Sequence, residues 1–173
     1  MSRRRVVVTG LGCVSPVGNT VADAWANILA GKSGIDLITK FDASNFACRI
    51  AGEVKGFDLE SYISAKDARA MDSFIHFGIA AAAQAVQDAG LPTGEALDDE
   101  LATRIACVIG SGIGGLPLIE NTHIEYAARG PRRITPFFVP ASIINMVAGH
   151  VSMRFGFKGP NLSVVTACTT GLH

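Results

Sequence analysis

Apolar residues fall along this chain in two rhythms. Short, unbroken, β-branched runs occur at Arg5-Val6-Val7-Val8-Thr9, closed by Gly10, at residues 104–110 (RIACVIG) and at residues 162–166 (LSVVT). Runs of this kind are the pattern of strands buried on both faces, and the first reads as a central strand. The second rhythm is helical. From Ser64, which can cap a helix, Met71, Phe74, Gly78, Ala81, Ala82, Ala85 and Ala89 recur at three- and four-residue steps until Gly90 and Pro92. So many alanines and a glycine on one stripe predict close backbone approach to a neighbour, as when a helix lies on a sheet. Further helices are predicted over residues 21–30, ended by Gly31, and 142–155, ended by Gly156. Residues 32–64 read as irregular, and residues 128–141, with Pro131, Pro136 and Pro140, as an extended, exposed loop. Strands separated by helices place the chain in the α/β class with a parallel or mixed sheet.

Composition narrows the function classes. The 173 residues suit one domain with a real core, and a hydrophobic fraction of 49% against 17% charged excludes a disordered tail. Fifteen basic residues balance fifteen acidic ones, so no global field draws the chain to nucleic acid or to an anionic membrane, and any charge-based recognition is local. The opening Ser2-Arg3-Arg4-Arg5 has the charge of a basic or twin-arginine leader, but Thr9 and Gly10 cut off the apolar run that follows. The longest apolar stretch, 105–119, is interrupted by glycines, Ser111 and Pro117 and falls short of the ~18 uninterrupted residues of a membrane span. A soluble, cytoplasmic protein is expected. Cys13, Cys48, Cys107 and Cys168 are scattered with no CxxC pair, so neither a metal site nor a disulfide framework is expected.

Two motifs could carry chemistry. Gly110-Ser111-Gly112-Ile113-Gly114-Gly115 satisfies G-x-G-x-x-G after a strand. A dinucleotide-binding unit also needs a second strand ending in an acid about 20 residues on, and the polar, proline-broken residues 118–133 offer none. A tight glycine turn is the simpler reading, and no cofactor is expected.

Thr166-Ala167-Cys168-Thr169-Thr170-Gly171 follows the third apolar run directly and is expected to open a helix. There a thiol would feel the positive end of the helix dipole, which favours the thiolate, and free N–H groups could receive an oxyanion. Small neighbours leave room for a bulky acyl group. The ordinary alternative is a buried, inert cysteine, and placement alone leaves both open. Cys13, Cys48 and Cys107 have no such setting and are expected to be packing residues.

The segments RRVVVTGLGCVSPVGN, KDARAMDSFIHFGIAAA, IGSGIGGL, GPRRITPFFVPASIINMVAGH and KGPNLSVVTACTTGLH together resemble the elongating β-ketoacyl-acyl carrier protein synthases of the bacterial synthase II group. The resemblance covers nearly the whole chain. It implies a thiolase-like fold, layered α/β/α/β/α in two similar halves and assembled as a homodimer, of which this chain is the N-terminal half, cut just after the nucleophile. It implies an acyltransferase of fatty acid biosynthesis in which Cys168 takes an acyl chain from acyl carrier protein, before decarboxylative condensation with malonyl-acyl carrier protein. Two histidines and a lysine that complete the reaction are expected beyond His173. His76, His123, His150 and His173 are expected to be structural or surface residues.

The resemblance also puts Ile113, and Phe138 from across a subunit boundary, beside the acyl tail. It puts Lys66, Arg69, Arg132 and Arg133 against the acidic carrier protein. Other readings are a polyketide ketosynthase, a priming synthase that uses acyl-coenzyme A, and a non-catalytic chain-length-factor-like subunit. The TACTTG and RGPRR segments favour the elongating type, and Cys168 argues against the non-catalytic subunit.

Overall fold

The computed structural model describes residues 4–172; Ser2, Arg3 and His173, on which the leader-like opening and the chain-end reading bear, lie outside them. Packing separates the chain into two units. One comprises the residues up to Asp58 together with Ala80–Leu91, and the other comprises Leu59–Ile79 and the residues from Pro92 onward.

In the first unit, α1 (Val21–Leu29) starts at Thr20, whose side chain accepts the Asp23 N–H, and Gly31 follows its end at φ +66°. This is the helix and the glycine stop the sequence predicts. Residues 32–64 hold a small antiparallel hairpin, β1 (Ile35–Leu37) with β2 (Ile50–Gly52). It is steadied by the buried Glu53 carboxylate, which accepts from the Thr39 hydroxyl and from the Thr39 and Lys40 N–H groups.

The expected strand at residues 5–9 is absent. Val6, Val7 and Val8 are 91, 66 and 80% exposed, and no neighbour among the described residues pairs with them. A β-branched run becomes a strand only when another strand takes up its backbone groups. The chain next runs as an extended segment along the C-terminal part of α3 (Ser73–Asp88). The Leu11 N–H donates to Asp88 and the Cys13 N–H to Gln84. A Cβ on Gly12 would lie 1.8 Å from the Ala81 carbonyl oxygen, so the alanine stripe does mark close backbone approach, to an extended segment rather than to a sheet.

The second unit contains α2 (Ala65–Ala68), the first turns of α3, α4 (Asp99–Arg104), β3 (Cys107–Val108), α5 (Leu116–Arg129), α6 (Phe138–Ser142), α7 (Met146–Phe155) and β4 (Asn161–Leu162). β3 and β4 pair in parallel, as the α/β reading requires, with α7 packed on both. Ile75, Ile79, Ala102, Cys107, Val147, Ala148 and Val151 form the core.

Four boundaries differ from the sequence reading, each for a local reason. The helix expected to run on from Ser64 breaks before α3, because Asp72 turns its carboxylate onto the Ser73 N–H and hydroxyl and starts a new helix. The strand expected at 104–110 shrinks to Cys107–Val108, because the Asp98 cap and the acidic first turn of α4 draw Arg104 into a helix. The loop expected at 128–141 is exposed from 131 to 137 but not extended. Arg129 ends α5 in an ion pair with Glu125, Pro131 opens a 3₁₀ turn (Pro131–Arg133), and α6 follows. The helix expected from 142 starts only at Met146, because the Ser142 carbonyl accepts the Gly115 N–H instead of a helical donor.

Candidate active site

Cys168 sits where β4 gives way to a turn. The strand expected at 162–166 ends at Leu162; Ser163 donates its hydroxyl to the Ile109 carbonyl, and the chain then leaves the sheet. Ala167 takes a left-handed conformation (φ +51°), uncommon for a residue with a Cβ, and a six-residue 3₁₀ helix spans Ala167–Leu172. Threonine hydroxyls hold this turn. The Thr170 hydroxyl accepts the Thr166 N–H and donates to the Ala167 carbonyl, and the Thr169 hydroxyl donates to the Thr166 carbonyl. Such side chains compete with α-helical bonding, which is why the expected α-helix start is a 3₁₀ turn without the aligned dipole of a longer helix. Cys168 is exposed on it.

The other cysteines differ from one another. Cys107 is buried in β3, and burial pushes its thiol pKa up. Cys13 is half-buried. Cys48 is exposed and donates its thiol to the Ile50 carbonyl, so it is not the packing residue expected.

The glycine turn lies against this segment. A Cβ on Gly110 would fall 2.1 Å from Thr170 Cγ2 and 2.7 Å from the Val164 carbonyl oxygen, so only glycine fits. Ser111 closes the turn by accepting the Gly114 N–H, and Gly114 adopts φ +84°. Ile113, at its tip, is 68% exposed. The helix α5 then begins, with Pro117 in its first turn, where no N–H is needed. Among the described residues the next strand after this turn is β4 (Asn161–Leu162), paired in parallel with β3, rather than a strand about 20 residues on.

The far end of the turn meets α6: the Gly115 N–H donates to the Ser142 carbonyl at 2.9 Å, and a Cβ on Gly114 would lie 2.4 Å from that oxygen. Phe138, half-buried, is the first residue of α6. The glycine turn therefore links the Cys168 segment at one end to the Phe138 helix at the other.

Lys66 and Arg69, at the end of α2, line a groove of about 420 Å³ together with Met71, Phe137 and His150. Arg132 and Arg133 are exposed on their 3₁₀ turn. Among the described residues none of the four cations forms an ion pair, whereas Lys55, Arg129 and Lys158 each do. Burial holds the His150 imidazole below its ordinary pKa, with Asp67 pulling weakly the other way. His76 Nε2 bonds to the Ala68 carbonyl, and His123 is exposed on α5.

Two residues that carry this geometry were not singled out by the sequence reading. Thr170 is inside the TACTTG motif, but its hydroxyl role needs the turn to be seen. Asp72 is legible after the fact as an Asp-Ser pair opening a helical run, a standard N-cap signal.

The beta-ketoacyl synthase N-terminal domain family matches residues 3–173. The chain belongs to that family. It is 58% identical over 173 residues to the 3-oxoacyl-[acyl-carrier-protein] synthase 2 of Vibrio cholerae and 51% to that of Coxiella burnetii. Both matches cover 100% of this chain and 41% of the relative. The Staphylococcus aureus synthase 2 is 48% identical over 170 residues. The chain thus spans about two fifths of the length of the curated relatives it matches. Among solved structures, the ishigamide ketosynthase/chain length factor superposes with a TM-score of 0.77 at 29% identity, over 95% of this chain and 40% of that one. A beta-ketoacyl synthase from Burkholderia phymatum superposes with a TM-score of 0.74 over 98% of this chain and 41% of that one. The fold is the thiolase-like α/β fold of ketosynthases. Among the described residues no helix is long and apolar enough to cross a membrane.

Proposed function

We propose that the protein to which this chain belongs is a cytoplasmic, homodimeric condensing enzyme of fatty acid synthesis, and that residues 1–173 are the N-terminal half that carries its nucleophile. Identity of 47–58% to proteins named 3-oxoacyl-[acyl-carrier-protein] synthase 2 supports this over a polyketide ketosynthase, where the likeness is 29%. The structural observation that carries it is the exposed Cys168 on a hydroxyl-braced turn packed directly against the glycine turn that bears Ile113.

In this reading the Cys168 sulfur attacks the thioester carbonyl of an acyl chain on acyl carrier protein. The tetrahedral intermediate collapses by expelling the carrier thiol, leaving the acyl group on sulfur. Malonyl-acyl carrier protein then loses carbon dioxide, and the electron pair left on its α-carbon attacks the acyl carbonyl. A carbon–carbon bond forms, the carbon–sulfur bond breaks, and Cys168 is regenerated. Preorganised donors must stabilise the enolate and the oxyanion. In this reading two histidines and a lysine, expected in the half of the fold that follows Cys168, supply them.

Ile113 and Phe138 line the acyl tail in this reading. Lys66, Arg69, Arg132 and Arg133 meet the carrier protein, and their lack of ion partners among the described residues fits a surface left for an acidic partner. The test is product formation by the full-length protein from acyl- and malonyl-acyl carrier protein. β-Ketoacyl product that disappears in Cys168→Ala supports the assignment, and product at the wild-type rate from that variant overturns it.

A further inference from the structure

The hydroxyl of Thr170 is tied to the backbone on both sides of the peptide that leads into the nucleophile. It accepts the Thr166 N–H at 3.0 Å and donates to the Ala167 carbonyl at 2.7 Å. Between these two groups lie the φ and ψ of Thr166 and of Ala167, the soft dihedrals that set where the chain delivers Cys168. Among the described residues Ala167, at φ +51°, is the one non-glycine residue with a positive φ. A residue with a Cβ enters that region at a cost and stays there only where its surroundings over-determine it. The two bonds to Thr170 are such a constraint.

The hydroxyl is itself aimed. Threonine is stiff at χ1, because methyl and hydroxyl share Cβ. The Thr170 methyl is seated so close to Gly110 that a Cβ there would fall 2.1 Å from it, and the seat fixes the direction the hydroxyl takes. The glycine turn that starts at Gly110 is anchored at its far end. Asp72 Oδ1 accepts the Ser73 N–H and hydroxyl and Oδ2 accepts the Leu118 N–H at 2.8 Å, so one carboxylate caps both α3 and α5. Thr170 therefore rests against a held surface. Thr169 differs: its hydroxyl donates to the Thr166 carbonyl at 2.7 Å, but its own N–H reaches the same oxygen at 3.1 Å. Losing that hydroxyl leaves a bond in place.

We propose that Thr170 is a positioning residue whose hydroxyl holds Ala167 left-handed and so aims the Cys168 sulfur at the thioester carbonyl. This inference rests on the reading of Cys168 as the nucleophile. Attack on a bound thioester requires alignment, and misplacement by about 1 Å can cost on the order of a hundredfold in rate. A small alkylating reagent has no bound geometry to satisfy, since it reaches an exposed thiol from any open direction. Removing the hydroxyl should slow acyl transfer and leave alkylation of the same sulfur nearly unchanged.

The test uses the full-length enzyme. Thr170→Val keeps the methyl and loses the hydroxyl, Thr170→Ser does the reverse, and Thr170→Ala loses both. Acylation of Cys168 by acyl-acyl carrier protein is followed by mass spectrometry for kcat and KM, and alkylation by iodoacetamide is followed across pH. Thr170→Val and Thr170→Ala are expected to lower kcat about tenfold or more with KM near wild type, while alkylation rate and its pH profile stay within about threefold. Thr170→Ser stays within about threefold of wild type in both assays. Thr169→Val loses less than Thr170→Val. Adding Ala167→Gly to Thr170→Val recovers part of the loss, because glycine meets a positive φ freely. Acylation by Thr170→Val at the wild-type rate, a parallel fall in acylation and alkylation, a Thr170→Ser variant as slow as Thr170→Val, or no recovery on adding Ala167→Gly overturns the proposal. Should Thr170→Val fail to fold, Thr170→Ser against Thr170→Ala, which differ only in the hydroxyl, decides by the same criterion. If the wild-type enzyme carries its acyl group on another cysteine, the nucleophile reading falls and this inference with it.

Discussion

Gly110 and Thr170 are in contact so close that a single methyl group could not be added between them: a Cβ on Gly110 would lie 2.1 Å from Thr170 Cγ2. Thr170 is also the residue whose hydroxyl braces the turn under Cys168. Gly110→Ala must push the nucleophile segment outward or distort the end of β3. It is expected to destabilise the full-length protein by about 1–3 kcal/mol, as overpacking does, and to slow acylation of Cys168. Gly112, two residues on, has open space around the position of its Cβ and an ordinary φ. Gly112→Ala should leave stability within about 0.5 kcal/mol of wild type. Urea unfolding of the two variants side by side checks the contrast, and equal losses would show that the close approach at Gly110 relaxes freely.

Charge reversal on the surface should separate docking from chemistry. Lys66→Glu with Arg69→Glu, or Arg132→Glu with Arg133→Glu, is expected to raise KM for acyl-carrier protein and flatten its dependence on salt. Acylation of Cys168 by a small synthetic thioester should not change. Steady-state kinetics at low and high ionic strength provide the check, and unaltered KM at low salt would mean these cations are merely solvated.

His150 gives a pH dependence with a definite sign. Burial beside Met71 and Met153 holds its folded pKa below the ordinary value of about 6.5, against the weaker pull of Asp67. The unfolded chain therefore binds a proton that the folded chain resists. Stability from this site is full above pH 6.5 and is lost as pH falls through the folded pKa. Urea midpoints should drop between pH 7.5 and 5, and His150→Gln should reduce that drop. An unchanged drop in the variant would place the acid sensitivity elsewhere.

Much of this architecture was legible from residue order alone, and the exceptions share a cause. Gly31 and Gly156 stop their helices where the sequence says, because a left-handed glycine needs nothing beyond its own turn. The alanine stripe of α3 foretold close packing, but not that the partner would be the extended segment at Gly12. Val6 to Val8 has the composition of a central strand and, among the described residues, no neighbour to make it one. α5 was hidden by its polar composition and by Pro117, which the first turn of a helix tolerates. In the site, Cys168 and the glycine turn were readable as motifs. Their joining through Thr170, and the double capping by Asp72, depend on residues far apart in sequence, which local pattern does not report.

The exposed apolar run at Val6, Val7 and Val8, with Leu172 87% exposed at the other end of the described chain, bears on how the 173 residues behave by themselves. Expressed alone, they are expected to self-associate and to form no β-ketoacyl product beyond a Cys168→Ala control, since the enolate-stabilising donors are assigned to the following half. Gel filtration and a product assay on the isolated chain check both expectations. Turnover above the control would require His76, His123 or His150 to be reconsidered as catalytic.

The central claim is that Cys168, rather than another of the four thiols, carries the acyl group. Peptide mass spectrometry of the full-length protein after incubation with acyl-acyl carrier protein measures this directly. The acyl mass is predicted on the peptide containing Thr166-Ala167-Cys168-Thr169, with Cys13, Cys48 and Cys107 unmodified. An acyl group on any of those three with Cys168 free would contradict it.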